Sequence, residues 1–319
     1  MTDRTQEHAD LAETPSQQKG HPGAVGATAT SAEQPDRVGF RKLFYNFGLL
    51  RESPAAMIGV TIIGIWVFVA VFADFITIYD PNAQDMLGFG GVSPFTGDHW
   101  MGTDILGRDI WSRLAYGARA TLIIAPVAMV CAYFVGITMG MAAGYFGGWI
   151  DLAVSRVSDI ILSFPLIILF IIIISVFGGS ALNIIVAVTL AASPGIGRIV
   201  RGLVLDLRSL EYVSAAQIRG ESGLYIMVVE LLPNARGPLI VDACLRMGYT
   251  VITIGILGFL GLGLPPPDPD WGGMVSDASV MVTVPGKAYM AIIPAAAISS
   301  LVIGFNLLAD GLREISMRD

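Results

Sequence analysis

The sequence predicts an all-α, polytopic membrane protein with six transmembrane helices, and three observations carry that prediction. Of its 319 residues, 54% are apolar and only 14% charged, against about a quarter charged in an ordinary soluble domain. The mean hydropathy is +0.68. The apolar residues also run in blocks: no charge falls between Glu52 and Asp74, Arg119 and Asp151, Asp159 and Arg198, or Lys287 and Asp310. A crossing helix needs roughly 20 such residues.

Residues 1–38 are rich in Ala, Thr, Gln, Glu, Gly and Pro and hold almost no large apolar residue, so a disordered cytoplasmic tail is expected. The first 20 residues contain no apolar core of the kind a cleaved secretory signal carries. GFRKLFYNFGLLRE, 39–52, mixes Phe and Leu with Arg41, Lys42 and Arg51 and suits a helix lying in the membrane interface. Spans are expected at about 54–76, 118–144, 157–177, 181–204, 238–262 and 288–310, the third and fourth joined by the tight turn Gly178–Ser180. Residues 39–117 thus hold the interfacial helix, the first span and an outer loop; 118–311 form a five-helix core; 312–319 are a cytoplasmic C-terminus.

Basic residues orient the chain. Arg41, Lys42, Arg51, Arg156, Arg201, Arg208, Arg219, Arg236, Arg313 and Arg318 fall on one side, and Arg108, Arg113, Arg119 and Lys287 on the other. Basic residues of short loops stay in the cytoplasm, so both termini are expected inside and the long 77–117 connection outside. The net charge of −7 sits largely in the tail and loops and says little about partners. Cys131 and Cys244 both lie in apolar segments, where they act as small hydrophobes; neither a disulfide framework nor a metal cluster is indicated. Gly136, Gly140 and Gly144 recur every four residues and predict close helix packing. Pro194 with Gly195 predicts a kink in the fourth span.

SAAQIRGESGLYIMVVELLPN, 214–234, lies between two spans and is no span itself, because it carries Arg219, Glu221 and Glu230. Ala215 and Ala216 leave room for a close neighbour. Gly220 and Gly223 can stop a helix and turn the chain. Leu224, Met227, Val228 and Leu231 then follow the i, i+3, i+4, i+7 spacing of an amphipathic helix. Pro233 is expected to break that helix and Asn234 to cap the next. On these residues alone a lever across the ends of the spans and a helix resting on lipid headgroups are equally good readings.

The spacing A-A-x3-G followed by L-P-N resembles the coupling segment of permeases of binding-protein-dependent ABC importers, with Ser214 where an acidic residue is usual and Gly223 where Asp is common. YDPNAQD at 79–85, HWMGTDILGRDIWSRLAYGARATL at 99–122, GYFGGWID at 144–151, FLGLGLPPPDPDWGGM at 259–274 and FNLLADGLRE at 305–314 extend the likeness over nearly everything after residue 40. They are similar to the "C" permease of the dipeptide, oligopeptide and nickel importers. The resemblance implies a type I importer fold. In it, 211–234 docks into a cytoplasmic ATPase through Ser214, Ala215, Ala216, Gly220, Gly223, Leu224, Met227, Leu231, Pro233 and Asn234. It implies a second homologous permease, two ATPase subunits that bind the ATP and magnesium, an extracytoplasmic solute-binding protein, and a peptide substrate. Nickel or a nickel chelate is the runner-up, and no role with nucleic acid is implied.

No GxxxxGK[ST] loop occurs; PGKAY at 285–289 has Ala288 where a hydroxyl is needed, so the energy of active transport must enter through a partner. His99 has Asp98, Asp104 and Asp109 nearby in sequence, which is weak support for a metal site. Arg108, Asp109 and Arg113 are expected to form exposed ion pairs. The resemblance places them, with Asp104 and Trp271, at an outer gate or binding-protein contact. Asp242 and Arg246 stand one helical turn apart in the fifth span, where charges are costly and face a bundle interior or a wet cavity. Either Arg246 lines the translocation path or the two merely satisfy each other. Arg198, Arg201 and Arg208 suit headgroup contact. An ion-driven secondary transporter is the alternative of another class; it calls for buried acids and inverted repeats, and only Asp242 is a candidate.

Overall fold

The computed structural model describes residues 53–95 and 98–316; the tail and interfacial helix expected over 1–52 lie outside them. Among the described residues the architecture is helical throughout, with five helices long and apolar enough to cross a membrane and a sixth crossing if one bent pair counts as a span. The all-α, six-span expectation is met in that form.

Helix α1, Pro54–Val71, starts where the Ser53 hydroxyl accepts from the Ala56 amide and proline occupies the first turn. A break at Phe72 and a single turn, Ala73–Ile76, complete the first span. Helix α2, Ile110–Phe146, is 37 residues long and begins eight residues before the expected 118. The Asp109 carboxylate caps it, accepting from the Ser112 amide at 2.7 Å. Arg119 fits inside this helix because its guanidinium reaches the Ala70 carbonyl at 2.9 Å and the Asp74 carboxylate.

The third span is not one helix. Helix α3, Gly148–Ser163, and helix α4, Leu166–Phe177, meet at 88°. The cause is Pro165: the residue before a proline is driven out of helical geometry, and Phe164 stands at φ −82°, ψ 137°. Helix α5, Ala181–Leu207, in contrast runs unbroken through Pro194. Then come α6, Glu211–Ile218, and a helical run from Gly223 to Phe259 whose regular part is α7, Leu232–Phe259. Helix α8, Trp271–Asp277, packs against the start of α2, and α9, Tyr289–Ser316, closes the bundle.

The α2–α5 pair is the most extensive contact in the molecule. Gly136, Gly140 and Gly144 form its seam, as their spacing predicts. A Cβ on Gly140 would stand 2.5 Å from the Gly197 carbonyl oxygen and 2.6 Å from the Val200 Cβ. A second seam, not anticipated, joins α1 to α9: a Cβ on Gly59 would stand 2.6 Å from the Gly304 oxygen, and one on Gly311 2.4 Å from the Ala56 Cβ. Small residues matter here because lipid offers no hydrophobic drive between helices, so backbone proximity and dispersion must supply the attraction. Gly140→Ala is expected to lower stability by about 1–3 kcal/mol, whereas Gly202→Ala, whose added Cβ meets nothing within 4 Å, should change little; thermal unfolding of the purified variants in detergent measures the difference.

Candidate functional site

The segment between α5 and α7 is built against the ends of α2 and α5. Val213 and Ala216 of α6 are fully buried and pack with Val200, Val204 and Met141, while Ser214 and Ala215 face outward. Helix α6 ends as its glycine predicts. Gly220 adopts φ +81°, its amide donates to the Gln217 carbonyl, and the Glu221 amide donates to that of Ala216. That pair of bonds is a Schellman closure. Gly223 does not turn the chain. It opens the next helix behind a Ser222 cap, and it is small because a Cβ would lie 2.9 Å from the Tyr145 ring.

Three expectations for 224–234 are corrected by one feature. Residues Ile226–Leu231 wind as a π-helix, whose i→i+5 bonding brings residues five apart onto one face. The buried side is therefore Ile226, Met227 and Leu231, while Leu224 is 70% and Val228 58% exposed. The wide turn also lets Pro233 sit in the first turn of α7 without a break, since an amide it lacks is not needed there. Asn234 caps nothing; its amide donates to the Glu230 carbonyl at 2.6 Å. Arg219 ties the loop to the π turn through Glu230 at 3.3 Å. Outward, the segment presents Ile218 at 87% exposed together with Leu224 and Val228.

At the start of α2 the five gate candidates are brought together, four of them buried and Asp104 half-buried. Arg108, Asp109 and Arg113 are all buried, contrary to the expected exposed ion pairs. The Asp104 carboxylate takes the Arg108 Nε at 2.6 Å and the Leu106 and Arg108 amides at 2.9 Å. Arg108 then reaches Asp277 of α8 at 3.4 Å. Asp109 is occupied by its cap and by the His99 Nδ1 at 2.9 Å. Arg113 donates to the Pro81 and Pro267 carbonyls at 3.1 and 3.4 Å, which staples the loop before α2 to the loop before α8. The Trp271 indole donates to the Leu114 carbonyl at 2.9 Å and meets Trp66 edge-on at 4.8 Å. His99 sits between Asp109 and, at 3.5 Å, Asp85, not Asp98 or Asp104. Among the described residues no group of three or more metal-capable side chains forms.

Sequence reasoning passed over Asp270, which caps α8 through the Gly272 amide at 3.1 Å. An acid directly before an aromatic helix start is the signal that could have revealed it. It is pressed against Gly258 and Gly263, where a Cβ would stand 2.2 and 2.0 Å from its Oδ2. Burial pushes its pKa up to about 6.

Within the membrane, the Asp242 Oδ2 accepts from the Tyr133 hydroxyl at 2.5 Å and from the Arg246 Nε at 2.7 Å. Arg246 also lines a cavity of about 280 Å3 with Met129, Phe170, Gly195, Thr250 and Thr253. Arg246 is thus paired, and it also faces open space. Arg198, Arg201 and Arg208 are not free for headgroups as expected. Arg201 grips Asp151 with two bonds of 2.5 and 2.7 Å, Arg198 meets Asp159 at 2.5 Å, and Arg208 donates to the Gly144 carbonyl at 2.8 Å, near the end of α2.

A helical membrane bundle with an insert packed under its seam is an importer-permease architecture, and the comparisons agree. The profile for the "binding-protein-dependent transport system inner membrane component" matches residues 136–318, and that for the "N-terminal TM domain of oligopeptide transport permease C" matches 49–89. The chain belongs to this family of ABC importer permeases. Among its relatives, the dipeptide transport system permease protein DppC of Alkalihalophilus pseudofirmus is 38% identical over 84% of this chain and 87% of its own. The glutathione transport system permease protein GsiD of Pectobacterium atrosepticum is 36% identical over 87% and 90%. An inward-facing structure of the MetNI methionine ABC transporter shares the fold, with a TM-score of 0.52 at 20% identity over 66% of this chain and 97% of that one.

A carboxyl whose folded pKa lies above its ordinary value adds stability in full below the ordinary value and loses it as pH rises through the raised one. For Asp270 that window runs from an ordinary 3.8 to about 6. Purified protein is expected to gain on the order of 2–3 kcal/mol on acidification from pH 7 to pH 4, and Asp270→Asn, which keeps a capping oxygen, to flatten that slope; melting temperature against pH measures it.

Proposed function

We propose that this chain is one of two transmembrane subunits of an ATP-driven importer of short peptides, working by alternating access. The observation that carries the reading is the insert. A patch of Ile218, Leu224 and Val228 stands exposed on a segment whose other face is buried under α2 and α5. That patch, with Ser214 and Ala215 beside it, is the docking surface for a cytoplasmic ATPase that binds ATP and magnesium. The helical run from Gly223 to Phe259 then carries a push on the insert directly to Arg246.

In this reading a homologous permease supplies the other half of the pore, a second ATPase engages its insert, and an extracytoplasmic binding protein delivers substrate over the outer loops. ATP binding draws the inserts together and opens the path outward; hydrolysis returns it. The chain makes and breaks no bond in the substrate. Both termini lie in the cytoplasm, since Arg201, Arg208 and Arg219 cluster at the insert's end of the bundle. Peptide as substrate is supported by the dipeptide and glutathione permeases among the relatives. The one acid of the fifth span is neutralised by Arg246 and Tyr133, which argues against ion-driven coupling through it.

Uptake of labelled di-, tri- and pentapeptides by cells with and without the gene, with nickel(II) in parallel, tests the substrate. Loss of peptide uptake alone is expected; loss of nickel uptake alone would keep the importer and overturn the peptide. Gly220→Pro tests the insert. Proline cannot adopt φ +81° and removes the amide that bonds Gln217. Normal membrane insertion with uptake down about tenfold or more is expected, and undiminished uptake would remove the coupling role.

A further inference from the structure

Two arginines of this bundle pair with aspartates in different ways. Arg201 uses its whole fork: Nε and one Nη each hold one oxygen of Asp151, the geometry of a pair that serves only itself. Arg246 meets its aspartate by one point. Only its Nε bonds Asp242, on the same oxygen that the Tyr133 hydroxyl occupies, and the Tyr133 hydroxyl also lies against the guanidinium.

Those Nη atoms are turned toward Gly195 of α5, where a Cβ would stand 3.5 and 3.8 Å from them. The missing side chain leaves the fork facing the cavity. Arg246 is 14 residues into α7, about 20 Å of helix from its start, and its side chain is 25% exposed. A cation at such depth is costly and is retained where it has work. Asp242 cancels the charge and, with Tyr133, fixes the plane of the guanidinium, while the edge that matches a carboxylate stays open. Phe170 and Met129 give the cavity apolar walls and Thr250 and Thr253 a polar one. At about 280 Å3 it lies at the small end of ligand pockets, near 300 Å3, the size for one end of a peptide.

We infer that Arg246 is a substrate-recognition residue that receives the C-terminal carboxylate of the peptide through its two Nη atoms, with Asp242 and Tyr133 as the positioning residues that aim it. This rests on the peptide-import reading. The pair makes the site neutral overall, so an anion binds by geometry and hydrogen bonding and is released when the path turns.

The test uses the complete importer in proteoliposomes with its binding protein. Uptake of one dipeptide as free acid and as C-terminal amide is compared, each at its half-saturating concentration for the binding protein. Arg246→Gln leaves Asp242 uncompensated, so Asp242→Asn with Arg246→Gln is run beside it; Arg246→Lys keeps charge without the fork. Loss of a charged hydrogen-bonded pair predicts that free-acid uptake falls about tenfold or more in both glutamine variants. The amide should fall less than about threefold and the lysine variant should lie between. Equal losses of acid and amide would make Arg246 a structural residue and overturn the inference while import stands. Unchanged acid uptake would overturn it too. A wild-type importer that takes up neither peptide would overturn the peptide reading along with it.

Discussion

At Gly140 the second helix comes so near to α5 that no side chain fits between Cα and the Gly197 carbonyl. The insert's end of the bundle takes its position from that approach. It brings Val200 and Val204 under the insert, where Val213, Ala216, Ile226 and Leu231 close over them. It brings Arg208 within reach of the Gly144 carbonyl, filling an orphan acceptor near the end of α2. It also places Gly195, two residues before Gly197, beside the guanidinium of Arg246. One backbone contact thus links the insert, the end of α2 and the cavity.

Charge is handled by the same economy. Several arginines of the bundle meet an acid or a carbonyl: Arg119 with Asp74, Arg198 with Asp159, Arg201 with Asp151, and Arg113 with two loop carbonyls. At the α8 end these bonds make the loops part of the bundle, held from beneath by buried Arg108, Arg113 and Trp271. Arg246 is the exception in geometry rather than in charge, because its partner takes Nε and leaves the fork open.

Much of this was legible in the sequence for physical reasons. Charge-free blocks gave the spans, since lipid admits little else. Four-residue glycine spacing gave the α2–α5 seam, and Gly220 gave the end of α6, because few other residues accept φ +81°. The remainder depends on three-dimensional partners. Hydropathy cannot register the 88° bend at Pro165, because both arms are apolar. The outer arginines read as exposed because their partners, Pro81, Pro267 and Asp277, are remote in sequence or are backbone atoms. The regular i, i+3, i+4 template assigned the wrong face to Leu224 and Val228 because nothing in IMVVEL announces a π turn.

That π turn holds one residue of slack. It winds less per residue than a regular helix, so it takes up the extra residue and leaves its two ends close to the bearing that regular winding would give them. Removing a single residue between Ile226 and Leu231 would let ordinary winding return with the exposed face of Ile218 and Leu224 kept near its present bearing. A residue added to or taken from the regular turns of α7 has no such slack to draw on and would swing everything before it by roughly 100° about the helix axis. Changes there act on the direction in which the insert faces, whereas the same changes in the loop at 260–270 would alter only how far apart two anchored ends can sit.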